Sequence, residues 1–384
     1  MSLIIRQITE EAKLLIRQFR ALSIIGPRQC GKTILSKMLF HDKPYVSFEN
    51  PATQIKAEKD IDRFLRQFKN GAILDEVQHI PDLFRYMQAI LDEDRTRGQF
   101  ILTGSNNFLL RENISQSLAG RVGYLQLLPL SYAELQKNFV DITLTDLIIK
   151  GGYPEIWVES LDGRKWMESY LQTYVQRDVR LIRNISNLTD FSRFVVMCAN
   201  RAGQIVNKEE MGRSLGLDAK TIQAWLSVLE SSYIIFTLSP WYNNLNKRTI
   251  KSPKLYFHDT GLLCYLLGLK EQTLKSHVMY GSIFENWIIS EIKKNRFNTG
   301  ISGGMYFFRD SAGNEVDLIL EKEGTIIPVE IKSGEQLNTA MLKGLRYWNK
   351  LNFSNNGILL YAGLSNEFDN GIQLLNWQEV ADVW

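Results

Sequence analysis

The residues best suited to chemistry by type and spacing lie near the start of the chain, in a run that fits G-x-x-x-x-G-K-[ST]. Glycines let successive N–H groups face a phosphate, a lysine neutralises its charge, and a hydroxyl can ligate Mg²⁺. The pattern predicts a loop that binds ATP and magnesium, and a chance match at a glycine-containing turn is the alternative. Its residues are Gly26, Pro27, Arg28, Gln29, Cys30, Gly31, Lys32 and Thr33.

Two carboxylates provide a second element of the same site. Asp75 and Glu76 follow the apolar run Ala72–Leu74. At the end of a buried strand, we expect Asp75 to help Thr33 hold the magnesium ion and Glu76 to polarise the attacking water. A solvated acidic turn would be the simpler interpretation if the loop pattern were absent.

Polar and cationic residues further along are candidates for assisting hydrolysis. Ser105, and after it Asn106, follow the apolar run Phe100–Thr103 and are expected to contact the water and the γ-phosphate, although an ordinary turn has the same composition. Arg121 is the candidate for stabilising transition-state charge, within its own subunit or from a neighbour, and Arg28 is the rival. A surface position is the alternative for either arginine.

The elements that must position these residues follow from short apolar runs alternating with helical patterns. Such alternation predicts an α/β fold with a mostly parallel sheet covered by helices. The predicted strands are Ala21–Ile25, Tyr45–Phe48, Ala72–Leu74, Phe100–Thr103 and Val122–Leu127.

The middle of the chain has a different pattern. Short helices at Lys208–Leu215 and Ala219–Ser231, followed by two apolar runs around a polar loop, suggest a helix-turn-helix with a β-hairpin wing. Cations and aromatic residues alternate in the loop, as in a wing that touches DNA phosphates, and packing against the ATPase core is the alternative. The predicted DNA contacts are Lys247, Arg248, Lys251 and Lys254.

The last third carries a second group of possible metal ligands. Asp317 ends one predicted strand, and Glu330 and Lys332 point to the same face of the next strand. Glu285, on the preceding predicted helix, can close the group. Two or three carboxylates with a lysine can hold Mg²⁺ and orient a water for phosphodiester cleavage. The alternative is an ion-paired site that does not cut.

Composition sets the limits for these predictions. The 384 residues are 45% hydrophobic and 23% charged, with a net charge of +3, which is typical of a globular protein of two or three domains. No apolar run is long enough to span a membrane, and charges interrupt the first twenty residues as they do not in a signal peptide. The widely spaced Cys30, Cys198 and Cys264 suggest reduced thiols. We therefore expect a cytoplasmic protein.

Several of these motifs together resemble a known family, the prokaryotic AAA-type ATPases with a C-terminal domain of uncharacterised function. The resemblance continues in motifs beyond the nucleotide site, at 118–131, 151–155, 176–178, 254–262 and 281–286. It implies an AAA-like P-loop core, a winged-helix segment and a small α/β domain similar to the PD-(D/E)xK restriction-endonuclease fold. The chain has no clear counterpart of the second-sensor arginine of hexameric AAA+ machines, so a homo-oligomer or a protein partner is left open.

The leading hypothesis is a magnesium-dependent ATPase that couples hydrolysis to a DNA transaction. The alternatives are an ATP-gated, metal-dependent nuclease and a nucleotide-dependent protein-binding switch. The expected domains are residues 1–135 (ATPase core), 136–188 (helical linker or lid), 189–275 (winged helix) and 276–384 (endonuclease-like domain).

Overall fold

The computed structural model describes residues 4–104, 118–174, 187–242, 251–354 and 356–383. Within these residues the chain forms a five-stranded sheet, a helical middle segment and an eight-stranded sheet. None of the described helices is both long and apolar enough to cross a membrane.

The first sheet is parallel throughout and has the strand order β2-β3-β4-β1-β5. Its strands are β1 (Ala21–Ile25), β2 (Tyr45–Ser47), β3 (Ala72–Asp75), β4 (Phe100–Gly104) and β5 (Val122–Gln126). Every residue of β1, β3 and β4 is buried, as expected for a parallel sheet covered on both faces. The α/β prediction is confirmed, and each of the five predicted strands ends within two residues of its predicted position.

Helices cover both faces of this sheet. They are α1 (Thr9–Gln18), α2 (Lys32–Leu39), α3 (Pro51–Lys59), α4 (Ile61–Arg66) and α5 (Leu83–Glu93). Alternate residues of a strand enter opposite cores: Leu22 and Ile24 pack with α1 and α2, whereas Ala21 and Ile25 pack with α3, α4 and α5.

The middle segment is mainly helical and contains one β-hairpin. Its helices are α6 (Tyr132–Gln136), α7 (Leu144–Lys150), α8 (Pro154–Val158), α9 (Gly163–Thr173), α10 (Leu188–Ala199), α11 (Lys208–Leu215), α12 (Ala219–Ser231), α13 (Thr260–Leu266) and α14 (Glu271–Leu274). Ser131 and Thr143 begin α6 and α7 with capping boxes. The antiparallel strands β6 (Ile235–Pro240) and β7 (Lys254–Phe257) follow α12, and a single bridge joins Ile205 to Lys254.

The second sheet contains the C-terminal strands together with this hairpin, in the order β12-β13-β11-β10-β9-β8-β6-β7. Its other elements are α15 (Tyr280–Asn298), β8 (Met305–Arg309), β9 (Glu315–Lys322), β10 (Thr325–Lys332), α16 (Lys343–Lys350), β11 (Gly357–Tyr361), β12 (Glu367–Asp369) and β13 (Ile372–Asn376). Ser239 and Pro240 of β6 pair in parallel with Tyr306 and Phe307 of β8. The hairpin is thus part of the C-terminal sheet, and one apolar core extends from Ile4 to Val383.

Candidate functional site

The loop from Gly26 to Thr33 joins β1 to α2 at the carboxyl edge of the first sheet. A Cβ added to Gly26 would lie 1.9 Å from the carbonyl oxygen of Leu127, so only glycine fits at this position. Gln29 and Gly31 have φ values of 59° and 96°, and left-handed residues of this kind let a loop gather N–H groups into an anion-binding concavity. The loop ends at the amino end of α2, where an anion is stabilised.

Lys32 is buried inside the curve of this loop, with 5% of its surface exposed. Its ammonium group donates hydrogen bonds to the carbonyl oxygens of Gly26 (3.0 Å) and Pro27 (2.7 Å). Because carbonyl oxygens are neutral, these contacts do not compensate the ammonium charge, which is available to an anion in the loop.

The carboxylate of Asp75 accepts hydrogen bonds from hydroxyl groups on three different elements. Thr33 Oγ1, on α2, lies 3.2 Å from each Asp75 oxygen. The Tyr45 hydroxyl, on β2, donates to Asp75 Oδ2 at 2.6 Å, and the Thr103 hydroxyl, on β4, donates to Asp75 Oδ1. The structure therefore brings the predicted pair Thr33 and Asp75 together, and it adds Tyr45 and Thr103, which sequence reasoning missed.

Glu76 directly follows this carboxylate and has a left-handed backbone, with φ 57°. A residue with a side chain rarely adopts this conformation, and such residues are concentrated at functional sites. The Gln78 amide donates to the Glu76 carboxylate. The sharp turn and this hydrogen bond place Glu76 in the wall of a cavity beside the loop.

That cavity has a volume of about 580 Å³ and lies between the loop and helices α8 and α9. Cavities of this size accommodate nucleotide-sized ligands. The loop side is polar and includes Arg28, Lys32 and Thr33, whereas the helical side is mainly apolar and aromatic. The residues of the helical side are Pro154, Glu155, Val158, Trp166, Ser169, Tyr170, Thr173 and Tyr174.

Arg6 supports the loop from behind and was not predicted from the sequence. Its buried guanidinium donates to the carbonyl oxygens of Cys30 (2.9 Å) and Leu128 (2.7 Å), and to Glu134 Oε1 (3.0 Å). Three partners that are distant in sequence are fixed by one side chain. Arg6 thus ties the backbone of the phosphate loop to the helix that follows β5.

Arg121 lies at the opposite edge of the sheet, so its predicted role within its own subunit is wrong. It directly precedes β5, and its carbonyl oxygen accepts hydrogen bonds from Arg20 and Ala21 at the amino end of β1. The five residues of β1 separate this amino end from the phosphate loop, so the backbone of Arg121 lies about 17 Å from the loop. Its guanidinium instead pairs with Asp92 at 2.6 Å. The predicted Ser105 and Asn106 lie outside the described residues.

The C-terminal group brings Asp317, Glu330 and Lys332 together, as predicted, but as an ion-paired cluster. Lys332 Nζ lies 2.9 Å from Asp317 Oδ2 and 2.6 Å from Glu330 Oε1. Asp317 Oδ2 also accepts the Ile331 N–H at 2.8 Å. Burial, and next the charge of Asp317, raise the pKa of Glu330 to about 8. The second oxygen of Glu330 packs so tightly that a Cβ on Gly344 would lie 2.5 Å from it.

Glu285 is held by a different lysine. Tyr256 donates its hydroxyl to Glu285 Oε1 at 2.6 Å, and Lys254 Nζ lies 3.2 Å from the same oxygen. Lys254 also lies 2.5 Å from Glu315 Oε1. In the described part of the chain, no group of three or more His, Cys, Asp or Glu side chains is arranged to hold a metal ion. Lys254 and Tyr256 hold the Glu285 carboxylate. Burial, and also the charge of Asp317, raise the pKa of Glu285, so Glu285 lies beside the cluster and its role as a metal ligand stays a prediction.

Lys254 is also the one predicted DNA contact that the structure contradicts. Its side chain is 3% exposed and is paired with two carboxylates, so it cannot reach a phosphate. Lys251 is exposed, whereas Lys247 and Arg248 lie outside the described residues.

Comparisons with known proteins match three successive segments of the chain. Residues 18–136 match an AAA domain, residues 141–273 match a domain of unknown function (DUF8612), and residues 280–380 match another (DUF4143).

The chain is also similar to curated relatives and to solved structures over much of its length. The uncharacterised proteins Mb2031c of Mycobacterium bovis and Rv2008c of Mycobacterium tuberculosis are each 30% identical over 316 residues, which is 80% of this chain and 69% of the relative. Among solved structures, a Walker-type ATPase of Pyrococcus abyssi, paby2304, is 14% identical with a TM-score of 0.44. The match covers 68% of this chain and 95% of that one.

Proposed function

The chain belongs to the family of the mycobacterial proteins Mb2031c and Rv2008c, its AAA domain makes it an AAA-type ATPase, and we propose that it couples magnesium-dependent ATP hydrolysis to a DNA transaction. The AAA match spans the phosphate loop and both acidic residues at the end of β3. The single observation that carries the ATPase part of the proposal is the contact of Thr33 with both oxygens of Asp75 beside that loop.

The residues at this contact fit a magnesium ion. A threonine hydroxyl and a carboxylate are hard oxygen ligands, and they meet at the edge of the cavity where phosphates would lie. Thr33 and Asp75 would hold the ion. When bound, magnesium neutralises charge on the phosphate oxygens.

The chain's own groups would then divide the work of hydrolysis. The loop amides and Lys32 would hold the β- and γ-phosphates, and Glu76 would orient the attacking water. Ser105 remains the proposed contact to water and γ-phosphate. Arg121 remains a proposal only as a group supplied to a neighbouring subunit.

Substitution of Lys32 tests the ATPase function directly. Lys32→Ala removes a charge-assisted contact worth about 1.5–3 kcal/mol, so we expect binding of labelled ATP to weaken by about tenfold or more and hydrolysis to be lost. Lys13→Ala is the matched control, because that lysine is half exposed on α1 and pairs with Glu10 in the same helix. Undiminished ATP binding by Lys32→Ala would refute the proposal.

The middle segment supports the DNA part of the proposal. A winged helix is supported by the order of elements here, which is α10, the Ile205 bridge, α11, α12 and the β6–β7 hairpin. Lys220 and Gln223 of α12 and Lys251 near the hairpin are exposed. So few base-reading groups predict weak sequence preference and strong salt dependence. The test is the ATPase rate with and without double-stranded DNA at low salt, and an unchanged rate would contradict the coupling.

A protein-binding switch is the second candidate, because the C-terminal carboxylates are already neutralised by lysines. The order of elements in this region supports the endonuclease-like fold. A helix is followed by three antiparallel strands, a second helix and a parallel strand. The ion pairs of Lys332 and Lys254 favour a non-catalytic version of it. Cleavage of DNA with Mg²⁺ or Mn²⁺ that Lys332→Ala abolishes would instead establish the nuclease alternative.

A further inference from the structure

Tyr45 contacts the proposed metal-binding carboxylate, although it belongs to neither nucleotide motif. Its hydroxyl donates to Asp75 Oδ2 at 2.6 Å. The residue lies on β2 at the edge of the sheet, where it pairs with Ile73 of β3, two residues before Asp75. A diagonal neighbour on the next strand is within reach of an aromatic side chain. The hydrogen bond therefore follows from the register of the two strands.

The phosphate-loop helix holds the ring of Tyr45 in this place. Lys37, one turn after Thr33 on α2, has its ammonium group 3.6 Å from the centre of the Tyr45 ring. Such a cation–π contact is attractive and fixes the position of the ring. Tyr45 is thus held from two sides, by a cation on α2 and by the carboxylate on β3.

The three hydroxyls around Asp75 do not have equivalent roles. Thr33 contacts both carboxylate oxygens at the longer distance of 3.2 Å, and a hydroxyl at the end of a phosphate loop can turn to a metal ion. Tyr45 and Thr103 each bind one oxygen, Oδ2 and Oδ1 respectively. Two donors on opposite oxygens fix the plane of a carboxylate, so its free lone pairs keep one direction.

We propose that Tyr45 is a positioning residue that holds the Asp75 carboxylate in the orientation that receives magnesium. The proposal rests on the ATPase function and specifies how the metal ligand is prepared. Thr33 would be the hydroxyl available to the ion, and Tyr45 would keep its hydrogen bond to Asp75. Without the tyrosine hydroxyl, the carboxylate rotates more freely, and the metal must order it on binding.

The expected consequence is a higher magnesium requirement. Tyr45→Phe keeps the ring and its contact with Lys37 and removes only the hydroxyl. We expect the Mg²⁺ concentration for half-maximal ATP hydrolysis to rise about fivefold, which corresponds to about 1 kcal/mol. Binding of labelled ATP in the presence of EDTA should stay unchanged, because Tyr45 is not expected to touch the nucleotide.

The control and the readouts separate this role from a structural one. Tyr86→Phe alters a tyrosine of similar exposure on α5, and it should leave the magnesium dependence unchanged. The Mg²⁺ titration is followed both by hydrolysis and by binding of a fluorescent ATP analogue. A Tyr45→Phe titration that coincides with that of the parent refutes the role of Tyr45 and leaves the ATPase function standing. A parent protein that neither binds nor hydrolyses ATP refutes both.

Discussion

Removal of the Lys254 charge tests whether the hairpin and the C-terminal strands are held together by a buried ion pair. The Lys254 side chain is 3% exposed, and its partners Glu285 and Glu315 are 16% and 25% exposed. Loss of one member of a buried pair costs about 3–5 kcal/mol. Because Glu315 keeps a contact with Arg309 at 3.1 Å, mainly Glu285 is left unpaired. We therefore expect Lys254→Met to lower the free energy of unfolding by about 3 kcal/mol.

The loss should depend on pH in a defined direction. Burial already raises the pKa of Glu285, and the charge of Lys254 lowers it, so the variant has a still higher folded-state pKa. A carboxyl whose pKa is raised on folding contributes stability below its unfolded pKa, and this contribution is lost as pH rises through the folded pKa. The difference between variant and parent should therefore be largest near neutral pH and shrink toward about pH 5.

Urea unfolding followed by circular dichroism at both pH values measures this difference. Lys254→Met combined with Glu285→Gln should recover part of the lost stability, because no unpaired charge is then buried. Lys275→Met is the matched control: its pair with Glu335 is about 60% exposed on both sides and should contribute less than about 1 kcal/mol. Equal small losses in Lys254→Met and Lys275→Met would refute the buried-pair reasoning.

Two further predictions concern a backbone contact and a titrating carboxyl. Gly26→Ala places a Cβ against the Leu127 carbonyl oxygen, so the loop must move. We therefore expect binding of labelled ATP to weaken by about tenfold or more. Binding equal to that of the parent would show that the loop tolerates the shift. Glu330 has a pKa raised by burial to about 8, so the parent should lose stability as pH rises from about 4.3 toward 8. Glu330→Gln should show a smaller loss of melting temperature over that range, and parallel pH profiles would contradict the buried carboxyl.

The nucleotide site was predictable from the sequence as far as it depends on local pattern. Gly26, Lys32 and Asp75 are identified by neighbours along the chain, and the parallel sheet brings them to one edge. Tyr45 and Thr103 could not be found in this way, because their contact with Asp75 depends on the lateral order of the strands. Nothing within a few residues of either one encodes that order.

The two corrections have different origins. The sequence predicts Lys254 as a surface cation because it follows a lysine-rich loop, whereas its burial depends on Glu285 and Glu315, which are remote in sequence. The position of Arg121, by contrast, follows from the strand pattern of the sequence. A residue directly before a parallel strand lies at the amino edge of the sheet, whereas the phosphate loop follows a strand and lies at the carboxyl edge.

The pairing of β6 with β8 restricts how ATP hydrolysis could produce movement. Strands from residues 235–240 and 305–309 share backbone hydrogen bonds, so a rotation of the hairpin against the C-terminal strands would break the sheet. If ATP hydrolysis moves these segments, the hairpin and the C-terminal strands would therefore move together as one rigid unit. The hinge of such a movement would have to lie nearer the phosphate loop, where Arg6 is hydrogen-bonded to Glu134.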